Sequence, residues 1–211
     1  LDLDAWLPAQ WPGLSAIAGG ASAWTLDLQL EAKAARWRGM DIAPLSLDVA
    51  AEPGRLTLRR LDARAGPVAV KGAATVLAGG RVAESRFEMR ADRAGAALEM
   101  MRQGGWARHL GTLREAPLLI QAQASGAPET LGVKLLAELG DLRGEFTPTL
   151  DIPAGKWSGP LALRHPGAPR LADALGAPAT ESWLGAGSFA LQAGLSGQDA
   201  VLAIDSSDVA A

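Results

Sequence analysis

The sequence predicts a mainly β protein: an antiparallel meander, bent into an open groove or a sandwich-like sheet, with a few short helices. Three observations predict it. Apolar and polar side chains alternate without a break from residue 24 to residue 34, which is the period of a strand with one apolar and one polar face. The same alternation returns at 45–49, 87–91, 118–125 and 189–195. Glycine and proline separate these segments at short intervals, as in hairpin-connected strands.

The first half of the chain begins with a predicted helix and continues as strands. Asp2 can cap a short helix at 2–7. At Arg59 and Arg60 the apolar positions change phase by one residue, which is the displacement that a β-bulge absorbs. The strands predicted in this half are 24–35, 42–51, 55–65, 68–77 and 82–91.

The alternation stops once, between residues 92 and 116. Helical spacing of small and apolar residues there predicts helices at 93–103 and 106–113. We therefore interpret 1–211 as two sub-modules, 1–91 and 117–211, joined by the helical insertion 92–116. The second sub-module is predicted to contain strands at 118–125, 130–139, 142–151 and 156–164, a helix at 169–175, and a hairpin of 186–196 with 199–205.

Composition limits the classes of function. The net charge of -3, with both signs scattered, argues against a nucleic-acid-binding surface, and the absence of cysteine excludes disulfides and thiolate metal sites. The longest weakly polar run, 14–26, is interrupted and falls short of the ~20 apolar residues that span a bilayer. Because the chain starts at Leu1 without a signal peptide, we interpret it as a fragment whose targeting or membrane segments lie outside it.

No combination of residues predicts catalysis, a metal site or a cofactor. His109 and His165 are far from each other and from any acidic cluster with ligand spacing, so both are predicted to be structural or solvated. Residues 185–188 resemble a phosphate loop but lack its Lys and lead into a strand, which favours a tight turn. A basic cluster is predicted to form a solvated strand face, with anionic lipid head groups as the alternative contact; it comprises Arg55, Arg59, Arg60 and Arg64.

The candidate functional feature is therefore a surface. One face of the first two strands is predicted to point into a common apolar interior, while Asp27, Gln29, Glu31 and Asp48 face water. On this prediction the substitution Leu28→Asp would bury a carboxylate. The predicted apolar lining consists of Trp24, Leu26, Leu28, Leu30, Leu45, Leu47 and Val49.

Several phrases, in their order, resemble the AsmA-like family of bacterial envelope proteins. Residues 1–7, LDLDAWL, are similar to the opening of a module in that family. Residues 54–63, GRLTLRRLDA, and 65–72, AGPVAVKG, resemble two of its successive strands. The passage from 170 to 189, with RLADALG followed by LGAGSF, resembles a third recurring phrase.

This resemblance implies a long bent sheet in the periplasm, anchored to the inner membrane by a segment outside this chain. It further implies that the groove shields phospholipid acyl chains during transport between the inner and outer membranes. The expected partners are thus phospholipid and the envelope membranes, with no nucleic acid. A ligand-free β-sandwich, used as a scaffold or adhesion module of the cell envelope, remains the alternative, because a packed core requires the same side chains. A closed outer-membrane barrel fits poorly, since tyrosine is absent and helical stretches interrupt the strands.

Overall fold

The protein forms one large antiparallel sheet. The computed structural model describes residues 1–2, 5, 25–37, 39–100, 108–176, 187–198 and 201–210. Strands account for 65% of the structure, and helices are few and short, which confirms the predicted mainly β class. In the described part of the chain, twelve strands belong to one sheet and two form a separate hairpin.

The predicted strands are present in the predicted order, but the short strands at 35–37 and 40–42 were not predicted from the sequence. Their bounds are β1 Leu26–Ala32, β2 Ala35–Trp37, β3 Met40–Ile42, β4 Leu45–Glu52, β5 Arg55–Ala65, β6 Val68–Leu77, β7 Val82–Ala91, β8 Leu118–Gly126, β9 Leu131–Leu139, β10 Leu142–Phe146, β11 Thr149–Asp151, β12 Lys156–His165, β13 Phe189–Gln198 and β14 Val201–Ala210.

Each strand of the large sheet pairs with a neighbour in the chain. The spatial order is β1-β4-β5-β6-β7-β8-β9-β10-β12-β13-β14, the twelfth strand, β11, pairs with β9 and β12, and all pairs are antiparallel. The short hairpin β2–β3 lies between β1 and β4 in sequence, outside this order. Residues 142–151, predicted as a single strand, form two strands, β10 and β11, separated by Thr147 and Pro148. The ring nitrogen of Pro148 has no hydrogen to donate to the ladder.

Bulges keep the apolar residues on one face. The bulge predicted at Arg59 and Arg60 is present: Asp48 pairs with Arg60 while Val49 pairs with Leu58, so Arg59 is the extra residue. Similar register shifts occur between β6 and β7, between β7 and β8, and between β13 and β14. Because a bulge bends its strand and increases local twist, these shifts also curve the sheet.

The helices match the sequence predictions in part. The α-helix α1 (Ala94–Met100) lies within the predicted 93–103, and α2 (Ala168–Ala174) replaces the predicted 169–175. The predicted helix at 106–113 is instead the 3-10 segment η2 (Arg108–Glu115), interrupted at Gly111, whose φ is +52°. A Cβ at Gly111 would collide with the carbonyl of Ala174, so glycine at this position allows the segment to approach α2 closely.

The predicted helix at 2–7 lies largely outside the described residues. Of its residues, Asp2 forms an isolated bridge with Arg36, so it pairs with the β2–β3 hairpin. Two further 3-10 turns, η1 (Ala78–Gly80) and η3 (Pro128–Thr130), connect neighbouring strands. In the parts of the chain that the structure describes, none of the helices has the length and apolar character to span a membrane.

The helical insertion lies at one end of the strands. Helix α1 packs onto this end in a cluster of Val68, Ala91 and Ala97, surrounded by Met89 and Leu118 among others. The strands on either side of the insertion pair directly, with Ala91 opposite Leu118, so the two predicted sub-modules share one sheet. Segment η2 contacts both α1 and α2, and the three form a continuous helical border.

The contact between α1 and the sheet gives a first prediction. Ala97 is fully buried, so Ala97→Asp places a carboxylate without a partner in an apolar cluster. We expect the free energy of unfolding to fall by about 2–4 kcal/mol. The matched control is Ala78→Asp, at an exposed position of η1, which should change the free energy by less than about 0.5 kcal/mol. Urea unfolding of both variants measures this, and equal stabilities would contradict the packing of α1.

Candidate functional site

The register of the strands collects the apolar side chains on one side of the sheet, which we call the apolar face. Directly paired residues share a face, so one row of paired residues can be followed from β1 to β14. This central row contains no charged side chain. It consists of Leu30, Leu47, Leu61, Gly72, Phe87, Ala122, Leu135, Phe146, Leu161, Ala193 and Ser207. With strands about 4.8 Å apart, the row is about 50 Å long.

The two ends of the strands are covered. At one end Ala35 and Ile42 of the β2–β3 hairpin form a buried cluster with Leu45, beside the α1 cluster. At the other end, where the strands turn, the residues less than 9% exposed include Ala51, Val76, Val82 and Leu131.

Between these ends the apolar face is open. In the central row Ala193 is buried and Ser207 is exposed, and the nine residues from Leu30 to Leu161 are only partly buried. Among the described residues, Val68 is the largest side chain below 2% exposure. A second sheet packed about 10 Å away would bury the Leu and Phe side chains of the row. Within the part of the chain that the structure describes, the middle of the apolar face is therefore an uncovered strip running across the strands, which we call the trough.

The structure brings six of the seven predicted lining residues onto this face. Leu28 lies opposite Val49 and Leu30 opposite Leu47, so β1 and β4 have the predicted common apolar side. Leu45 is buried, whereas Leu30, Leu47 and Val49 are half-buried. Trp24 lies outside the described residues.

The prediction that Leu26 and Leu28 are enclosed is wrong. They are 36% and 41% exposed, because β1 is an edge strand that has a neighbour on one side only. The substitution Leu28→Asp therefore exposes its carboxylate to water. The predicted polar set lies on the opposite face, with Asp27, Gln29 and Glu31 exposed and Asp48 partly buried.

Two aromatic rings on the apolar face lie over glycines of neighbouring strands. A Cβ at Gly72 would collide with the ring of Phe87, and one at Gly197 would collide with the ring of Trp157. Trp157 also contacts Phe146 edge-to-face, with ring centroids 5.7 Å apart. Because the glycines leave room beside them, the rings lie down on the sheet and do not stand up into the trough. These residues were not predicted from the sequence. The alternation at 87–91 indicates a strand, but periodicity does not determine which strands pair.

The opposite face carries the charges and pairs them across strands. Arg59 binds Asp27 at 3.0 Å and Asp48 at 3.2 Å, so the bulge residue connects three strands. Further pairs are Lys71 with Asp62 and Lys134 with Glu145. Exposed ion pairs of this kind contribute about 0–1 kcal/mol each. These cross-strand ion pairs nevertheless identify this face as the one exposed to water, which we call the hydrated face.

The basic cluster of the sequence belongs to this hydrated face. Arg59, Arg60 and Arg64 pair with Asp27, Asp62 and Asp92 respectively, and Arg55 is exposed. Their charges therefore lie among carboxylates, which supports the prediction of a solvated strand face.

The predicted structural role of His165 agrees with its surroundings. His165 is 6% exposed, and its Nδ1 lies 2.8 Å from the carbonyl oxygen and 3.1 Å from the backbone nitrogen of Gly167. It thereby holds the turn that leads into α2. The side chain of His109 and the first two residues of the loop 185–188 lie outside the described residues. Within the described residues, His, Asp and Glu form no group of three that could hold a metal ion.

Comparison with known proteins gives no relative for this arrangement. No family model, curated protein or solved structure matches the chain. The geometry of the trough is therefore the basis for assigning a function.

The contact between Phe87 and Gly72 gives a second prediction. In Gly72→Ala the new Cβ displaces the Phe87 ring, so we expect a loss of about 1–2 kcal/mol in unfolding free energy. The control is Gly132→Ala, where the nearest atom is 3.5 Å from the added Cβ and stability should be unchanged or slightly higher. Thermal unfolding compares the two. Adding Phe87→Leu to the first variant should restore part of the loss, and no restoration would argue against the ring contact.

The hydrated face gives a third prediction, which concerns the pH dependence of stability. A hydrogen bond from Arg90 at 2.6 Å and a second from Gln121 lower the pKa of Glu88 below its usual 4.5. Glu88 therefore stabilises the fold fully above pH 4.5, and this contribution is lost as the pH falls through its lower folded-state pKa. We expect Glu88→Gln to be less stable than the parent at pH 7, with the difference shrinking below pH 4.5. Urea midpoints across that range measure it; a difference independent of pH would contradict the assignment.

Proposed function

We propose that this chain is a segment of a periplasmic groove that shields phospholipid acyl chains during transport between the inner and outer membranes. The segment acts by covering the acyl chains with its apolar surface and catalyses no reaction. The observation that carries this proposal is the trough: a row without charge that crosses eleven strands and is left open by the rest of the described chain.

The dimensions suit an acyl chain. A bilayer has a hydrocarbon core of about 30 Å, so one lipid tail extends roughly 15 Å. The trough, at about 50 Å, is long enough for tails to lie along it one after another. Since its strands are crossed by one continuous apolar surface, a tail would meet no charged side chain as it moved from strand to strand.

The energetics also favour an open apolar surface over a specific pocket. Burial of one methylene group contributes about 0.8 kcal/mol. Ten methylenes half-covered by the trough would gain on the order of 4 kcal/mol. That is enough to hold a tail out of water and small enough to release it, and no recognition residue is required.

The resemblance of the sequence to AsmA-like proteins supports the same assignment and adds the location. It implies a periplasmic sheet anchored to the inner membrane through a segment outside this chain. The partners proposed on this basis are phospholipid and the two envelope membranes, and no cofactor or nucleic acid is needed.

The alternative is a ligand-free scaffold or adhesion module with a sandwich core. It requires a second layer over the apolar face. Among the described residues that layer is limited to the β2–β3 hairpin and the helical border at the strand ends. The open middle of the face therefore favours the groove over the sandwich.

The test is photo-crosslinking in living cells with the full-length protein. A benzophenone amino acid is placed at Leu135 in the trough and, as a matched control on the same strand, at Lys134 on the hydrated face. A second pair, Leu28 and Gln29, tests the edge strand. We expect phospholipid adducts at 135 and 28, and none at 134 and 29.

Lipid transfer between vesicles gives an independent measurement. Because Leu28 is exposed, Leu28→Asp should leave the unfolding free energy within about 1 kcal/mol of the parent. It should nevertheless lower transfer more than Gln29→Asp does. Adducts at neither 135 nor 28, together with unchanged transfer, would leave the scaffold as the better assignment.

A further inference from the structure

We propose that Arg143 and Arg164 form a binding site for a phosphate monoester on the hydrated face, at the end of the strands that carries the helical border. The two residues lie on neighbouring strands, β10 and β12, and stand directly opposite each other in the register. Both are exposed. The site lies on the face opposite the trough, so the proposal holds whether or not the trough binds lipid.

The direct pairing of two cations is an exception in this structure. Wherever else the register of the described strands sets two charged residues opposite each other, their signs are opposite. Like charges directly opposite on neighbouring strands are destabilising, so the fold retains this pair at a cost that a bound anion would remove. The pairs of opposite sign are Arg36 with Asp41, Asp48 with Arg60, Glu52 with Arg55, Asp62 with Lys71, Lys71 with Glu88, Glu138 with Arg143, and Asp151 with Lys156.

The neighbouring carboxylates leave most of this positive charge unneutralised. Arg143 reaches Glu138 at 3.9 Å, which is the longest ion-pair distance among the described residues. The side chain of Arg143 is 76% exposed. Glu145, two residues further along β10, binds Lys134 at 3.1 Å. The guanidinium of Arg143 is therefore accessible and only weakly paired.

Arg164 has room for a ligand beside it. It forms no ion pair in the described part of the chain, and its neighbour on β13 is Ala190, whose side chain is too short to cover it. A third cation, Arg170 of α2, lies at the same end of the strands. Its guanidinium packs against Gly167, three residues beyond Arg164, and it too has no ion pair among the described residues.

A phosphate monoester matches two guanidinium groups better than a carboxylate does. Each guanidinium is a planar fork that donates two parallel hydrogen bonds and stays charged. A phosphate monoester presents three acceptor oxygens and a charge of about −1.5 to −2, so one group can accept bonds from forks on both strands and balance their charge. A carboxylate has two oxygens in one plane and fills one fork.

Arginine side-chain NMR measures binding at the site itself. The Nε–H signals are followed while glycerol 3-phosphate, or acetate at the same ionic strength, is added to the protein. We expect the signals of Arg143 and Arg164 to move together and to give one dissociation constant, roughly ten-fold lower for the phosphate ester than for acetate.

Flotation with vesicles distinguishes the two sources of such a group. Phosphatidic acid carries the same phosphate monoester as glycerol 3-phosphate, and vesicles of phosphatidylcholine alone are the control. Binding to phosphatidic acid vesicles that exceeds binding of glycerol 3-phosphate would identify a lipid head group as the source. Binding of glycerol 3-phosphate without vesicle binding would identify a soluble ester.

The variant Arg164→Gln separates binding from folding. It removes the like-charge contact, so without ligand it should melt at the same temperature as the parent or higher. It should nevertheless weaken binding of the phosphate ester roughly ten-fold and abolish the rise in melting temperature that the ester gives the parent. The matched control is Arg55→Gln, which removes one charge at an exposed position at the other end of the strands and should leave the affinity unchanged.

Several results would each overturn the proposal. They are an absence of shifts at both arginines, equal affinity for acetate, an equal loss of affinity in Arg55→Gln, and a lower melting temperature of Arg164→Gln without ligand. Tighter binding of a Glu-rich peptide than of the ester at these two arginines would also overturn it, in favour of an acidic protein partner.

Discussion

Strand register is the constraint on which the rest of this structure depends. Side chains alternate between faces with a period of two, so a slip of one residue in any strand would exchange its apolar and charged sides. Eleven strands must agree for the central row to remain free of charge. Bulges make this agreement possible: at Arg59 the extra residue corrects a change of phase that would otherwise turn Leu61 and Ala63 toward water.

Stability and openness are divided between different parts of each strand. One end, buried under the β2–β3 hairpin and the helical border, supplies tightly packed contacts. The middles remain half-buried, and Gly72 there allows the ring of Phe87 to lie flat on the sheet. The apolar surface is thus held in place without being buried in the protein's own core. This division distinguishes the fold from a sandwich, where the strand middles are the best-buried part.

Local sequence signals predicted most of the fold because they depend on neighbours in the chain. Alternation and Gly–Pro turns located the strands 55–65, 68–77 and 82–91 with the bounds that the structure has. Local signals do not report features that depend on distant contacts. The exposure of Leu28 follows from the edge position of β1, and the close approach of Gly111 to Ala174 joins segments far apart in the chain. The trough residues beyond β4 were likewise not predicted, because the sequence of one strand shows its periodicity but not which strands it pairs with.

The pairing of each long strand with its neighbours in the chain has a consequence for how such a sheet changes in evolution. Connections between successive strands are short, apart from the segments inserted at the strand ends. The topology is therefore nearly one-dimensional, like that of repeat proteins, and most native contacts close small loops. Duplication or loss of a hairpin would lengthen or shorten the sheet by two strands without disturbing the registers elsewhere. The span of the molecule can thus be adjusted in steps of about 10 Å, the width of two strands.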